Sequence, residues 1–166
     1  MSFVKNGLIL NSWALFALPH INSGDPSCRE VETMKTFVSV GNLEIREIIP
    51  GLVLHMDPDT LTSMGATYTC AENRRVRGPH FFLCVGVCQD HSRWLPLYSK
   101  DGVDRMLLPR AGRTGHPKWT TAECHYHVDQ MWLVTFDAVE AAAEAGEDRS
   151  SPARRNRLSK DKLPVF

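Results

Sequence analysis

The sequence predicts a mainly-β protein, a small antiparallel barrel followed by one C-terminal α-helix. Apolar runs are short and rich in β-branched and aromatic residues, Gly and Pro separate them, and only one late segment has a helical pattern. A chain of 166 residues, 43% hydrophobic and 23% charged, is typical of one globular domain with tails. We therefore expect an extension over 1–33, a barrel domain with its helix over 34–146 and a flexible basic tail over 147–166.

The role of the extension is left open by the sequence. Lys5 precedes an apolar run at 8–18 that imitates a signal peptide, but Asn11 and Ser12 interrupt the run and no small-x-small cleavage site follows. A natural start at Met34, or packing of the segment as an extra element, fits better than secretion. The run is too short for a membrane span, and an odd count of five cysteines favours a reducing compartment. We therefore expect a cytoplasmic protein that does not contact a membrane.

Short apolar runs separated by turn formers define the strands. The predicted strands, in chain order, are 36–40, 43–49, 52–56, 80–88, 93–98, 103–108 and 131–136. Gly41-Asn42 forms a turn, and Pro96 indicates that its strand lies at an edge or carries a bulge. Loops are predicted at 57–79, with a short strand near 66–70, and at 109–118.

The last element is an alanine-rich helix. Asp137 and Glu140 have the spacing of a capping box at its start, and Gly146 stands where a C-cap would end it.

Local basic patches are the only electrostatic signal, because 19 basic and 19 acidic residues give a formal net charge of zero. The first patch is Arg74, Arg75 and Arg77, shortly before His80. Arginine suits phosphate, and histidine exchanges protons near neutral pH. RNA cleavage needs a base for the 2′-hydroxyl, an acid for the leaving oxygen and a cation for the charged phosphorane. The alternative is a solvated loop beside a core histidine.

Two further patterns are chemically suggestive. Tyr98-Ser99-Lys100 places a hydroxyl pair at a strand end, where it could hold a phosphate. Cys124, His125 and His127, with His116 upstream, are zinc-ligand types but match no standard zinc spacing. No P-loop, G-x-G-x-x-G or H-E-x-x-H motif occurs. We therefore expect neither a metal nor a cofactor.

Aromatic and basic residues interleave in the second half of the chain. Such a mixture suits single-stranded nucleic acid, because bases stack on aromatic rings while cations follow the backbone. Trp119 is predicted to be exposed, whereas Trp132 lies in an apolar strand and is predicted to be in the core. The residues expected to bind nucleic acid are Arg74, Arg75, Arg110, Arg113, Lys118 and Trp119.

Four short motifs occur in an order that resembles the PemK/MazF-like family of toxin endoribonucleases. A strand that Gly51 opens ends in Asp57-Pro58, and Arg77-Gly78-Pro79 leads into the long apolar strand. Pro96-Leu97-Tyr98-Ser99 ends the next strand, and Asp129-Gln130 precedes the final strand and helix. The resemblance covers about residues 50–145.

The resemblance implies an SH3-like barrel that forms a homodimer, cleaves single-stranded RNA without a metal and binds a protein antitoxin. It also implies that Arg77 and Ser99 contribute to cleavage. We expect Arg77 to stabilise the phosphorane, His80 to act as acid or base, and Ser99 to position the phosphate. Two alternatives stay open: a non-catalytic nucleic-acid-binding barrel, and a regulatory or inhibitory protein-interaction module.

Overall fold

The computed structural model of the chain describes residues 43–166. The predicted extension at 1–33, the strand at 36–40 and the Gly41-Asn42 turn lie outside these residues. The strands are β1 (Leu52–Met56), β2 (Thr67–Tyr68), β3 (His80–Val87), β4 (His91–Leu97), β5 (Met106–Leu107), β6 (Arg113–Thr114), β7 (His125–Tyr126), β8 (Trp132–Thr135) and β9 (Asn156–Leu158). The α-helices are α1 (Pro58–Ser63), α2 (Pro117–Thr121) and α3 (Phe136–Ala145). Short 3₁₀ helices cover Ile45–Glu47, Glu72–Arg74, Pro152–Arg154 and Lys160–Lys162.

The described residues form one large antiparallel sheet and one small one, which confirms the mainly-β prediction. The large sheet has seven strands in the order β2-β8-β4-β3-β1-β9-β6, and β5 pairs with β7 in the small sheet. Because β2 and β6 are its edge strands, the large sheet is open rather than closed into a barrel within the described part of the chain.

The centre of the large sheet is buried on both faces. Side chains alternate between the faces along a strand, so Phe82 and Leu83 of β3 belong to two different hydrophobic clusters. The first cluster packs under α3 and includes Leu54, Phe82, Trp94, Trp132 and Val139. The second packs under α2 and the small sheet and includes Val53, Leu83, Leu95, Trp119 and Tyr126. Burial on both faces explains why β3 is an unbroken apolar run.

Pro96 lies in an interior strand, so the prediction of an edge strand is wrong. β4 pairs with β3 on one side and with β8 on the other. Pairing with β8 ends at Trp94, and the next contact on that side is the bridge between Tyr98 and His125. Pro96 falls between these two contacts, where its missing N–H costs no ladder hydrogen bond. The bulge of this strand pair lies in β3, between Cys84 and Gly86.

Residues 43–49 do not form the predicted strand. The Ile45–Glu47 3₁₀ helix is held by Glu47, whose carboxylate accepts a hydrogen bond from the Glu44 N–H at 3.0 Å and pairs with buried Arg155 at 3.2 Å. A side chain 108 positions away thus overrides the local β pattern.

The predicted loop at 57–79 is more structured than expected. It contains α1, β2, which lies within the predicted short strand at 66–70, and one 3₁₀ helix. Asp57 caps α1 by accepting a hydrogen bond from the Thr60 N–H at 2.8 Å, and Pro58 is the first helical residue. The Asp-Pro pair therefore starts a helix.

Helix α3 begins at Phe136, and its N-cap lies two residues before the predicted cap, Asp137. Thr135 is the N-cap and accepts a hydrogen bond from the Ala138 N–H, while Asp137 lies in the first turn. Gly146 is the C-cap, as predicted. A Cβ at this position would lie 2.5 Å from the carbonyl oxygen of His55, so glycine also allows the helix end to approach β1 closely.

The predicted strand at 103–108 and loop at 109–118 are also corrected. β5 covers only Met106–Leu107 of the first range and belongs to the small sheet. The second range contains β6 and the start of α2.

The segment after Gly146 is not a flexible basic tail. β9 inserts between β1 and β6, with Leu52 paired to Arg157 and Arg113 paired to Leu158. Arg155, Asn156 and Leu158 are all buried. The high charge of this segment obscured a strand whose partners lie far away in sequence.

Two further observations concern the cysteines and the helix lengths of the described residues. Their four cysteines, Cys70, Cys84, Cys88 and Cys124, are all free thiols. No helix among them is long and apolar enough to cross a membrane.

Candidate functional site

A cavity of about 740 Å³ opens at the N-terminal end of β3. Its walls come from the loop before β3, the segment that follows β4 and the turn before β8. The lining side chains that could bind an anion or exchange a proton are Arg74, Arg77, His80, Tyr98, Arg105 and His127. Two of the three residues predicted to be catalytic, Arg77 and His80, thus line one cavity.

The arginines of the cavity differ in how far they are committed to other groups. Arg75 pairs with Asp59 at 2.8 Å and with Glu72 at 3.1 Å, so its charge is largely compensated. Arg77 is exposed and makes no hydrogen bond or ion pair with any described residue. The Arg77 guanidinium is therefore available to an anion in the cavity.

Gly78 shapes the chain between Arg77 and His80. Its φ of +67° is left-handed, and the space around it is open, so conformation rather than crowding requires glycine here. The turn leads the chain from the arginine-rich loop into β3. Residues on both sides of the turn line the cavity.

The same turn determines the tautomer of the neutral His80 ring. Its Nδ1 lies 2.9 Å from the carbonyl oxygen of Gly78. Because a carbonyl only accepts hydrogen bonds, Nδ1 carries the hydrogen of the neutral ring and Nε2 carries its lone pair. The ring also contacts Tyr98 edge to face, with centroids 5.8 Å apart. His80 therefore has the tautomer that a general base requires.

Tyr98 contacts two other residues of the cavity lining, Gln130 and Arg105. Its hydroxyl donates to Gln130 Oε1 at 2.5 Å, and Gln130 Nε2 donates to the Arg74 carbonyl at 2.9 Å. The guanidinium of Arg105 lies 3.7 Å above the tyrosine ring. Burial raises the pKa of Tyr98, although Arg105 opposes this shift, so the hydroxyl is protonated at neutral pH.

His127 is buried and contacts an arginine of the cavity lining. Its Nε2 lies 2.6 Å from Nη2 of Arg74, and its Nδ1 lies 3.1 Å from the amide nitrogen of Asp129. Arg74 Nη2 and the Asp129 N–H are both donors, and a neutral imidazole has one acceptor nitrogen, so only one of these two contacts is a hydrogen bond. His127 therefore packs against Arg74 in the cavity lining.

Ser99 does not belong to the cavity lining, although it was predicted to position a phosphate. It is exposed, and the neighbouring Tyr98 lines the cavity in its place. Asp101 and Asp104 also contribute to the lining, against the four arginines. The balance of formal charge in the cavity is therefore positive.

Trp119 is buried, so the prediction that it is exposed is wrong, and Arg113 is buried beside it. Trp119 is only 3% exposed, and its indole N–H donates to the Arg157 carbonyl at 3.3 Å. Arg113 is 8% exposed and lies under the Trp119 ring at 4.5 Å. Its guanidinium donates to the carbonyls of Leu108, Pro109, Trp119 and Ala122. These carbonyls take four of the five N–H donors of the guanidinium, so Arg113 chiefly holds the surrounding backbone together.

The other residues predicted to bind nucleic acid are distributed differently. Arg74 and Arg75 line the cavity described above, and Lys118 lines a second cavity. Arg110 is exposed and lines neither cavity.

The cysteine and histidine pattern at 124–127 does not assemble a metal centre. No group of three or more His, Cys, Asp or Glu side chains suited to a metal ion occurs within residues 43–166. The side chain of buried His125 faces Glu123 at 3.5 Å and Asp101 at 3.9 Å.

Three functional candidates were missed by reasoning from the sequence: Arg105, His127 and Gln130. Arg105 was missed because it lies in the predicted strand at 103–108. His127 was missed because it was considered only as a zinc ligand. Gln130 had a usable signal, because it belongs to the Asp-Gln pair of the family resemblance.

Searches of protein-family models, of curated proteins and of solved structures find no match to this chain.

Proposed function

We propose that the chain is a toxin-like, metal-independent endoribonuclease that cleaves single-stranded RNA in the cavity at the start of β3. The observation that carries the proposal is the convergence of free Arg77, tautomer-fixed His80 and protonated Tyr98 on one cavity. These groups supply a cation for a phosphate, an acceptor for a proton and a donor of a proton.

In the proposed reaction, His80 Nε2 takes the proton of a 2′-hydroxyl. The 2′-oxygen attacks phosphorus, the bond from phosphorus to the 5′-oxygen breaks, and a 2′,3′-cyclic phosphate forms. The Tyr98 hydroxyl gives up its hydrogen bond to Gln130 and transfers its proton to the leaving 5′-oxygen. His80 then returns its proton to Tyr98 through water. All the proton transfers use groups of this chain and water, so the proposed reaction needs no divalent cation.

Electrostatics favour the charges that this reaction creates. Arg77 stabilises the phosphorane, and Arg74, which contacts His127, adds a second positive charge to the same cavity. Arg105 stabilises the phenolate of Tyr98 from its place above the ring, since its charge lowers the pKa that burial raises. The tyrosine thus takes the part that the resemblance assigns to a strand-end hydroxyl.

A protein antitoxin is the partner that we propose, together with a homodimeric, cytoplasmic enzyme. The antitoxin and the homodimer rest on the family resemblance, and the cytoplasmic location rests on the odd count of five cysteines. An exposed apolar side chain in the cavity lining supports the antitoxin. Val103 lines the cavity and is 87% exposed. A protein that covered Val103 would also cover the cavity.

The proposal is tested with a fluorescent single-stranded RNA incubated with purified protein in EDTA. We expect cleavage by the wild type and a rate lower by roughly 10²–10⁴-fold in His80→Ala, the usual contribution of a general base. Arg77→Ala should lose roughly 10²–10³-fold, as when one transition-state donor is removed. Arg46→Ala is the matched control, because this arginine is 83% exposed, pairs with Glu44 and lies outside the cavity.

The outcomes separate the three classes of function. Cleavage that persists in His80→Ala and Arg77→Ala contradicts the assigned mechanism. RNA that is retarded in a gel but stays intact favours a non-catalytic nucleic-acid-binding module. Neither cleavage nor retardation leaves a protein-interaction module.

A further inference from the structure

A second cavity, of about 760 Å³, lies on the opposite face of β3. Successive side chains of a strand point to opposite faces, so His80 lines the first cavity while Phe81 lines the second. The second cavity is bounded by β1 and β3, by α2 and by the segment that follows α3. The function proposed above uses none of its residues.

One wall of the second cavity is aromatic. Phe81 is 41% exposed, whereas the next three residues of β3 are fully buried. His55 stands directly opposite in the β1–β3 register, and the two ring centroids are 4.9 Å apart. An exposed phenyl face inside a cavity suits the stacking of a planar ring.

Two polar groups beside this wall can form hydrogen bonds with the edge of a planar ligand. His55 Nδ1 lies 2.5 Å from the Gly146 carbonyl oxygen, so Nδ1 carries the hydrogen and Nε2 is an acceptor. Asn156 is 5% exposed, and its Oδ1 accepts from the His116 N–H at 2.8 Å. Among the described residues, nothing accepts a hydrogen bond from its amide nitrogen. The cavity thus offers one acceptor and one unused donor.

The net formal charge of this cavity lining is positive, since Lys118, Arg149 and Arg154 outnumber Glu147 and Asp148. Glu147 pairs with Arg149, and the buried Asp148 carboxylate accepts from the N–H groups of His55 and Ser150. The side chains of Lys118 and Arg154 have no ion-pair partner within residues 43–166. Two free cations near an aromatic wall suit a ligand with a planar ring and an anionic group.

We propose that the second cavity binds a nucleotide, with its base stacked on Phe81 beside His55 and its phosphate held by Lys118 and Arg154. His55 Nε2 and the Asn156 amide would contact the base edge. The nucleotide could be a free mononucleotide or one unit of an RNA strand, since both present the same base and phosphate. This proposal does not depend on catalysis in the first cavity.

The first test is calorimetric titration of the full chain with AMP, GMP, CMP and UMP, with ribose 5-phosphate as the ligand that lacks a base. We expect at least one nucleoside monophosphate to bind and ribose 5-phosphate to bind more weakly. Phe81→Leu keeps an apolar side chain but removes the stacking face, and should weaken binding roughly tenfold. The double variant Lys118→Ala/Arg154→Ala should weaken it by a similar factor. Lys160→Ala, an exposed cation outside the cavity, should not.

The second test distinguishes the two sources with the His80→Ala variant and a short single-stranded RNA. The site is assigned to an RNA unit if the RNA and the mononucleotide compete for it and if His80→Ala/Phe81→Leu loses the binding of both ligands. Mononucleotide binding without competition assigns it to a free nucleotide. The proposal is overturned if no monophosphate binds, or if Phe81→Leu and the double cation variant bind as the wild type does. Absence of RNA cleavage affects neither readout, so the two proposals fail separately.

Discussion

Within residues 43–166, two arginines stack on aromatic rings, yet they are suited to opposite tasks. Arg105 lies 3.7 Å above Tyr98 at the first cavity, and Arg113 lies 4.5 Å from Trp119 beneath α2. Arg105 makes one hydrogen bond, to the Lys100 carbonyl, and keeps its remaining donors. Arg113 donates to four backbone carbonyls. The number of committed donors, rather than the stacking, separates an arginine that can bind an anion from one that holds loops together.

Among the substitutions that test this difference between the two arginines, Arg113→Ala is expected to have the largest effect. The substitution leaves several buried carbonyls without donors, so we expect the free energy of unfolding to fall by about 3–5 kcal/mol. Urea denaturation measures the change. Arg110→Ala, at an exposed position three residues earlier, should stay within about 0.5 kcal/mol of the wild type. Equal losses in the two variants would mean that Arg113 is no more structural than a surface arginine.

Arg105→Ala is expected to have the reverse profile. Stability should change by less than about 1 kcal/mol, because the ring contact is partly solvated. The affinity for single-stranded RNA should fall roughly tenfold, as expected for one lost charged hydrogen bond. Fluorescence anisotropy measures the affinity, in the His80→Ala background so that the RNA stays intact. A large loss of stability with unchanged affinity would reverse the roles assigned to the two arginines.

The smallest expected effect is the pH dependence of stability at Tyr98. Burial raises the pKa of its hydroxyl above the ordinary value of 10.0, so the unfolded chain ionises first. The contribution of Tyr98 is therefore fully present below about pH 10 and is lost as pH rises through the folded pKa. Tyr98→Phe should flatten the fall in stability above that pH, by at most about 1.4 kcal/mol per pH unit. Denaturation curves at a series of alkaline pH values measure the slope.

The same pH experiment tests Arg105. Its positive charge opposes the effect of burial, so Arg105→Ala should raise the pKa of Tyr98 further. A near-ultraviolet absorbance titration, with Tyr98→Phe as the reference, reports this pKa. An unchanged titration would show that the two side chains do not interact in solution.

The parts of the fold with strong local patterns could be predicted from the sequence. β3, β8 and the Gly146 end of α3 follow from apolar runs and a capping residue. β9 could not be predicted, because a three-residue strand among charges depends on partners far away in the chain. Local pattern and long-range pairing carry separate information.

The candidate site divides in the same way. Arg77 and His80 were found because residues close in sequence before a strand line the same cavity. The burial of Trp119 and Arg113 was not predicted, because the sequence records a cation near an aromatic residue but not the carbonyls that accept its hydrogen bonds. Arg105 was missed because its ring partner, Tyr98, lies seven positions earlier across a turn. Donor occupancy is a property of the folded chain.

The pairing of β1 with β9 also means that β1 is synthesised well before its partner strand. Leu52 pairs with Arg157, so about 100 residues separate the two strands. At roughly 5–20 residues per second, one edge of β1 waits on the order of 5–20 seconds on the ribosome before its partner emerges. During that interval β1 can pair with β3 on one side only, and its other edge is open to strands of neighbouring chains. Conditions that slow translation between these strands should therefore lower the yield of folded protein before they affect its stability.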